Sequence, residues 1–169
     1  MSVRLVGVAP SRASKSSKPA FRRQLFLNEP VVPMGEVRVK VTLTNAYDAM
    51  LADEGRLPED KVRSCEVEGM VDTGAVCSVI PQRILDSIGV TARSHRVATY
   101  ADGRSEDVPI SHPLLVLIEG RDMIEEAMIF GDDVLIGQTV LERTDLLVDC
   151  ANFRLVPNPS HPDGPAFRV

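Results

Sequence analysis

Asp72, Thr73 and Gly74 follow directly on an alternating run, Glu66-Val67-Glu68-Gly69-Met70-Val71. That order sets a carboxylate where an apolar strand should end. Gly74 lacks a β-carbon, so the backbone can turn sharply there and its N–H can approach another group closely. Thr73 supplies a hydroxyl able to hold the turn or a neighbour. A carboxylate fixed on a tight turn beside buried strands is costly to desolvate, so it is either paired or used. The use open to it is proton transfer.

Val71-Asp72-Thr73-Gly74-Ala75 resembles the active-site signature of the retroviral-type (retropepsin-like) aspartic proteases. A second piece has the same likeness. Val134-Leu135-Ile136-Gly137, followed by Gln138-Thr139-Val140-Leu141-Glu142, resembles that family's apolar-apolar-glycine segment and short helix. The two motifs come in the family's order, with Leu135 63 residues beyond Asp72, and the likeness extends over about residues 36–156. It implies a mostly β fold: a closed β-barrel, or acid-protease lobe, with one or two short helices. It also implies a single-lobed cellular or bacterial member, since no polymerase or nucleocapsid segment is recognisable.

Hydrolysis by this route employs two carboxylates. Like charges that close cannot both ionise, so the pair shares a proton and titrates as a unit. The ionised member takes a proton from water and the protonated member donates to the scissile carbonyl oxygen. Only one Asp-(Thr/Ser)-Gly is present, because Asp102-Gly103 and Asp163-Gly164 lack both the hydroxyl and the preceding strand. The second carboxylate is therefore expected from a second copy across a two-fold axis. The resemblance assigns Asp72 as acid/base, Thr73 as a lock between the two turns, and Gly74 as a backbone donor to the carboxylate. It sets Ala75 on the cleft wall and Asp102 and Gly103 at the tip of a hairpin flap over an extended peptide, with Tyr100 just before the tip either touching substrate or packing across the strands. No cofactor or metal is called for. His95, His112 and His161 show no ligand spacing and are expected at the surface or in hydrogen bonds.

Several elements must position this turn. Val37, Val39, Val41 and Leu43 alternate with Arg38, Lys40 and Thr42, the pattern of a half-buried strand over 36–44. Residues 45–63 are polar and read as a long excursion with a helical turn at 46–52. Residues 64–71 form the strand into the turn, and 75–80 read as a buried apolar run. Pro81 at a first turn and Gly89 at a stop frame a helix over 81–88. Asp102-Gly103 between strand-like flanks, 91–101 and 108–118, predicts a hairpin. A strand over 123–130, a turn at Gly131-Asp132-Asp133, a buried strand over 134–136 and a helix over 138–143 follow. Many viral members carry Arg where Gln138 stands, so their ion-pair network does not transfer. Residues 146–149 and 153–156 predict a last hairpin. Beyond it, four prolines in nine residues predict an extended, poorly ordered tail over 157–169.

The composition is that of a globular chain, 44% hydrophobic and 25% charged in 169 residues, with no apolar run of membrane-spanning length. Residues 1–34 carry six Arg/Lys and one acid, whereas residues 35–169 carry 13 basic and 23 acidic residues. An acidic folded part argues against nucleic acid as ligand. Residues 1–33 are Ser/Lys-rich without periodicity and read as a disordered basic tail, leaving 34–156 as the protease domain. Two rivals for the tail are a transit peptide, which would move the protein from cytoplasm to an organelle, and a true start at Met34. Cys65, Cys77 and Cys150 read as small buried hydrophobes in a reducing compartment, with neither disulfide nor zinc spacing. Three functional readings stand: a homodimeric aspartic endopeptidase, a non-catalytic binding or regulatory dimer of the same fold, and a coincidental Asp-Thr-Gly on a generic β domain.

Overall fold

The computed structural model describes residues 35–99 and 103–166. Their fold is mostly β, as the sequence implies. β1 (Arg38–Asn45) buries Val39, Val41 and Leu43, and Val37 ahead of it is buried too. It pairs antiparallel with β2 (Ser64–Val71), so that Val39 faces Gly69 and Val41 faces Val67. Between them run α1 (Ala46–Asp53) and a 3-10 turn at Glu59–Lys61. Asn45 caps α1 by accepting from the N–H groups of Tyr47 and Asp48 at 3.0 and 3.2 Å. The 45–63 excursion is pinned by Asp48, which is 5% exposed and takes a two-pronged contact from Arg63, Nε at 2.6 Å and Nη2 at 2.8 Å.

After the Asp-Thr-Gly turn come β3 (Val79–Ile80) and α2 (Gln82–Ser87), the latter stopped at Gly89, where φ is +65°. β4 (Ala92–Thr99) and β5 (Ser105–Ser111) pair as the expected hairpin. Its tip, with Tyr100 and Asp102, lies outside the described residues; Gly103 is described, exposed, with φ +83°. The expected strand over 108–118 is two strands. Pro113 has no N–H to continue a ladder, and β6 (Leu114–Ile118) leaves β5 to pair with β1. The expected strand over 123–130 is also two. β7 (Arg121–Glu125) turns back on β6 across Glu119-Gly120, both at positive φ, while β8 (Met128–Ile129) pairs with β3 and β5.

β9 (Val134–Ile136), α3 (Gln138–Thr144), β10 (Leu146–Asp149) and β11 (Arg154–Pro157) complete the chain order. Nine strands form one sheet in the order β4-β5-β8-β3-β9-β2-β1-β6-β7, and β10-β11 form a separate pair. Among the described residues β4 and β7 end that order, so hydrogen bonding does not close the sheet into a full barrel. Among the described residues the α-helices number three rather than one or two. One core spans the sheet and helices, with Leu43, Leu85, Ile88, Leu114 and Val140 fully buried.

Residues 158–166 are held rather than loose. Asn158 Nδ2 donates to Asp145 Oδ1 at 2.9 Å, His161 Nδ1 lies 2.6 Å from Asp145 Oδ2, and Arg121 donates to the His161 carbonyl at 2.7 Å. The cysteines are less buried than their type suggests: Cys65 and Cys77 are half-buried and Cys150 is exposed. Among the described residues no helix is long and apolar enough to cross a membrane.

Candidate active site

β2 delivers Asp72 to the end of the sheet, and three backbone hydrogen bonds hold it there. Val71 N–H donates to Val37 O at 2.8 Å, Asp72 N–H to Ile136 O at 3.0 Å, and Ala75 N–H to Asp72 O at 3.2 Å. β2 and β9 run parallel, Gly69 beside Val134 and Val71 beside Ile136. A side chain at Gly69 would press on Ile136 and Val134, its Cβ standing 3.0 Å from Ile136 Cγ1 and 3.2 Å from Val134 Cγ1. The glycine is thus what lets β9 pack across β2.

The chain then passes from β2 to β3 with β9 between them, so residues 72–78 cross over the end of β9. Gly137 sits at that crossing. The loop is tied to the start of α3: Ala75 O accepts from Gln138 N–H at 2.7 Å, and Val76 O from Thr139 N–H at 3.1 Å and Oγ1 at 2.8 Å. Ser78 Oγ accepts from Gly137 N–H at 3.1 Å, and Ser78 O from Met128 N–H at 2.9 Å. Each such bond contributes about 0.5–1.5 kcal/mol net. Together they fix a loop that lacks a strand's own ladder. The 75–80 run is therefore a buried strand only at Val79-Ile80; Val76 is 67% exposed.

At the crest, Gly74 N–H donates to Asp72 Oδ1 at 2.9 Å. A backbone N–H donated to a carboxylate oxygen fixes the direction in which the carboxylate points. Asp72 and Ala75 are half-buried, and Thr73 and Gly74 are exposed. Thr73 makes no side-chain hydrogen bond among the described residues, so its hydroxyl is available to an incoming group. One oriented, half-buried carboxylate thus stands beside an exposed crest on a hydrogen-bonded loop, with no second carboxylate bonded to it among the described residues.

Sequence reading missed Ser78, whose hydroxyl accepts from Gly137 N–H, and the burial of Glu125 on β7. Burial pushes the Glu125 carboxyl above its ordinary range, against a pull downward from the Ser78 hydroxyl and N–H. The serine within the 75–80 apolar run was the available signal; Glu125-Glu126 looks like a solvated pair. A cavity of about 900 Å³ lies elsewhere, among Asn45, Tyr47, Met50, Val90, Pro113 and Ile124. It is apolar and distant in the fold from the Asp72 loop, at the other end of β1, so size alone does not mark the chemistry. Among the described residues no three His, Cys, Asp or Glu side chains cluster as metal ligands. His95 lies 2.9 Å from Asp107 across the β4–β5 hairpin, and His161 is bound to Asp145.

No protein-family profile matches the chain, and no curated protein matches it in sequence. Solved structures do resemble it. A protease of EIAV, complexed with the inhibitor HBY-793, overlaps 45% of this chain and 74% of its own, at 15% identity and TM-score 0.37. A foamy viral protease-reverse transcriptase in complex with an RNA/DNA hybrid overlaps 45% of this chain and 10% of its own, at 21% identity and TM-score 0.37. The fold of this chain is mostly β, with the Asp-Thr-Gly turn at the end of β2 and the Leu-Ile-Gly strand β9 side by side.

Proposed function

We propose that the chain is an aspartic endopeptidase that works as a homodimer on extended polypeptides. The observation that carries this reading is the Asp72 turn. Its backbone is clamped by Ile136 O, its carboxylate is oriented by Gly74 N–H, and its crest is exposed. A second copy related by a two-fold axis would bring a second Asp72 against the first. Thr73, whose hydroxyl is uncommitted, would lock the two turns. Water held between the carboxylates gives a proton to the ionised one and attacks the peptide carbonyl. The protonated one donates to the carbonyl oxygen, and the tetrahedral adduct then breaks its C–N bond as the amine leaves with a proton. Ala75 would line the cleft, and the β4–β5 hairpin would cover an extended peptide by main-chain pairing, with Tyr100, Asp102 and Gly103 at its tip.

The second reading, a binding or regulatory dimer without turnover, draws on Gln138. Its amide donates to Glu142 within α3 at 2.6 Å, leaving no ion pair from this position to the loop. A cleavage assay over proteome-derived peptides, from acid to neutral pH, separates the two. Reproducible cleavage that disappears in Asp72→Asn supports the peptidase; cleavage by neither protein, with dimers present, supports the binding module.

A further inference from the structure

At the end of β1 remote from Asp72, α1 and the outer face of β6 and β7 line the groove of about 900 Å³. Tyr47, Met50 and Asp53 recur every third residue, so they share one face of α1. Asp122 and Ile124 alternate on the outward side of β7, where they pair with Leu117 and Leu115 of β6. Each wall therefore sets apolar side chains beside one carboxylate. Tyr47 is 61% exposed, Met50 47% and Ile124 59%. Apolar residues scattered singly over a surface are ordinary, but these three meet in one concavity.

Hydrogen bonds fix the walls before anything binds. Asn45 Nδ2 donates to the carbonyls of Ile88 and Gly89 at 3.1 and 3.3 Å, and His112 N–H donates to Thr91 O at 2.9 Å. Arg63, the guanidinium at the rim, is clamped and neutralised by buried Asp48. Asp53 and Asp122 are exposed, and neither side chain has a hydrogen bond or ion pair among the described residues. The groove thus has an apolar floor and a negative rim. An occupant that matches it brings apolar side chains and cations of its own. A peptide segment is long enough to lie against both walls and cover their exposed apolar side chains.

We propose that this groove is a docking site, distant from Asp72, for a segment of a partner protein in which apolar side chains are interspersed with Lys or Arg. Binding does not rest on the peptidase reading; its consequence, that such a segment elsewhere in a substrate favours cleavage, does. The test uses the full chain carrying Asp72→Asn, so that no probe is cut. The probes are two fluorescein-labelled peptides with blocked ends, one alternating leucine with arginine and one alternating leucine with glutamate. The arginine peptide should bind, less tightly as salt is added, and should shift the amide resonances of Met50, Asp122 and Ile124. Ile124→Ser should weaken it at least about tenfold, and Asp53→Asn with Asp122→Asn about threefold or more. Met50→Ser repeats the test from the α1 wall. Unmoved groove amides, equal affinity for the glutamate peptide, or parental affinity in these variants overturns the proposal. Loss of dimers in Ile124→Ser, read by sedimentation, also overturns it, because the groove would then be a contact between copies. With Asp72 intact, Ile124→Ser should lower kcat/KM for a substrate extended by the leucine-arginine segment and leave the unextended substrate unchanged. Should the parent cleave neither substrate, the peptidase reading fails while peptide binding still decides the role of the groove.

Discussion

Gly137 packs so tightly against Cys77 that a β-carbon on it would stand 2.6 Å from the Cys77 carbonyl carbon and 2.8 Å from its oxygen. Both neighbours are backbone, so neither can swing aside. This contact lets the loop with Asp72 lie on the end of β9. Gly137→Ala should therefore separate the two layers, costing about 1–3 kcal/mol of folding free energy. Urea unfolding measures it, and a variant as stable as the parent would show that the crossing is looser than described.

Gly74 tests the carboxylate's own surroundings. A β-carbon there would meet only Asp72 Oδ1, at 3.2 Å, and the backbone φ is not in the left-handed region. Gly74→Ala should keep the fold while crowding the carboxylate, so kcat should fall about tenfold or more with little change in melting temperature. Unchanged kcat would remove Gly74 from the site.

The pH dependence of stability has two opposing parts. Asp145 is held below the ordinary carboxylate range by the Asn158 side chain first, then by His161 and the Ala166 N–H; Asp48 is held down by Arg63. Such groups contribute stability that is full above about pH 3.9, the unfolded value, and is lost as pH falls through the folded value. Glu125 is raised by burial, so its contribution is full below about pH 4.3 and declines as pH rises toward its folded value. Urea unfolding across pH should show E125Q flatter than the parent above about pH 4.3, and D145N flatter below about pH 3.9. Parallel curves in either comparison would contradict the assignment.

Arg121 is the tie between β7 and the C-terminal segment. Its side chain is 6% exposed, and it donates to Thr144 O and Asp145 O at 2.8 Å and to His161 O at 2.7 Å. Arg121→Met keeps length and loses every donor, so stability should drop by about 2–5 kcal/mol. Limited proteolysis should then cut faster within residues 158–166. An unchanged cutting rate would mean that Arg121 does not hold the segment.

Much of this fold could be read from periodicity. The four apolar residues from Val37 to Leu43 face the core, the Asp-Thr-Gly ends β2, and the strand at Val134–Ile136 stands where the apolar triplet placed it. What escaped was structure without a period. The 72–78 loop crosses a strand instead of extending one, so Val76 is exposed despite its type. β7 was obscured because two of its inward residues, Arg121 and Glu125, are charged, which inverts the alternation used to find strands. The Glu119-Gly120 turn hid because a glutamate occupies the left-handed region, at φ +48°. The Asp-Thr-Gly turn was legible as a motif; the polar support behind it, Ser78 Oγ accepting from Gly137 N–H, was not, since only tertiary packing brings those two residues together.

The central claim is that one Asp72 works only beside another. Parent protein at fixed concentration should be mixed with increasing Asp72→Asn protein, allowed to exchange subunits, and assayed for peptide cleavage. Activity per parent chain should fall as mixed dimers form, and the variant alone should be inactive. Activity that stays constant through the titration, or cleavage by the variant alone, would contradict the claim.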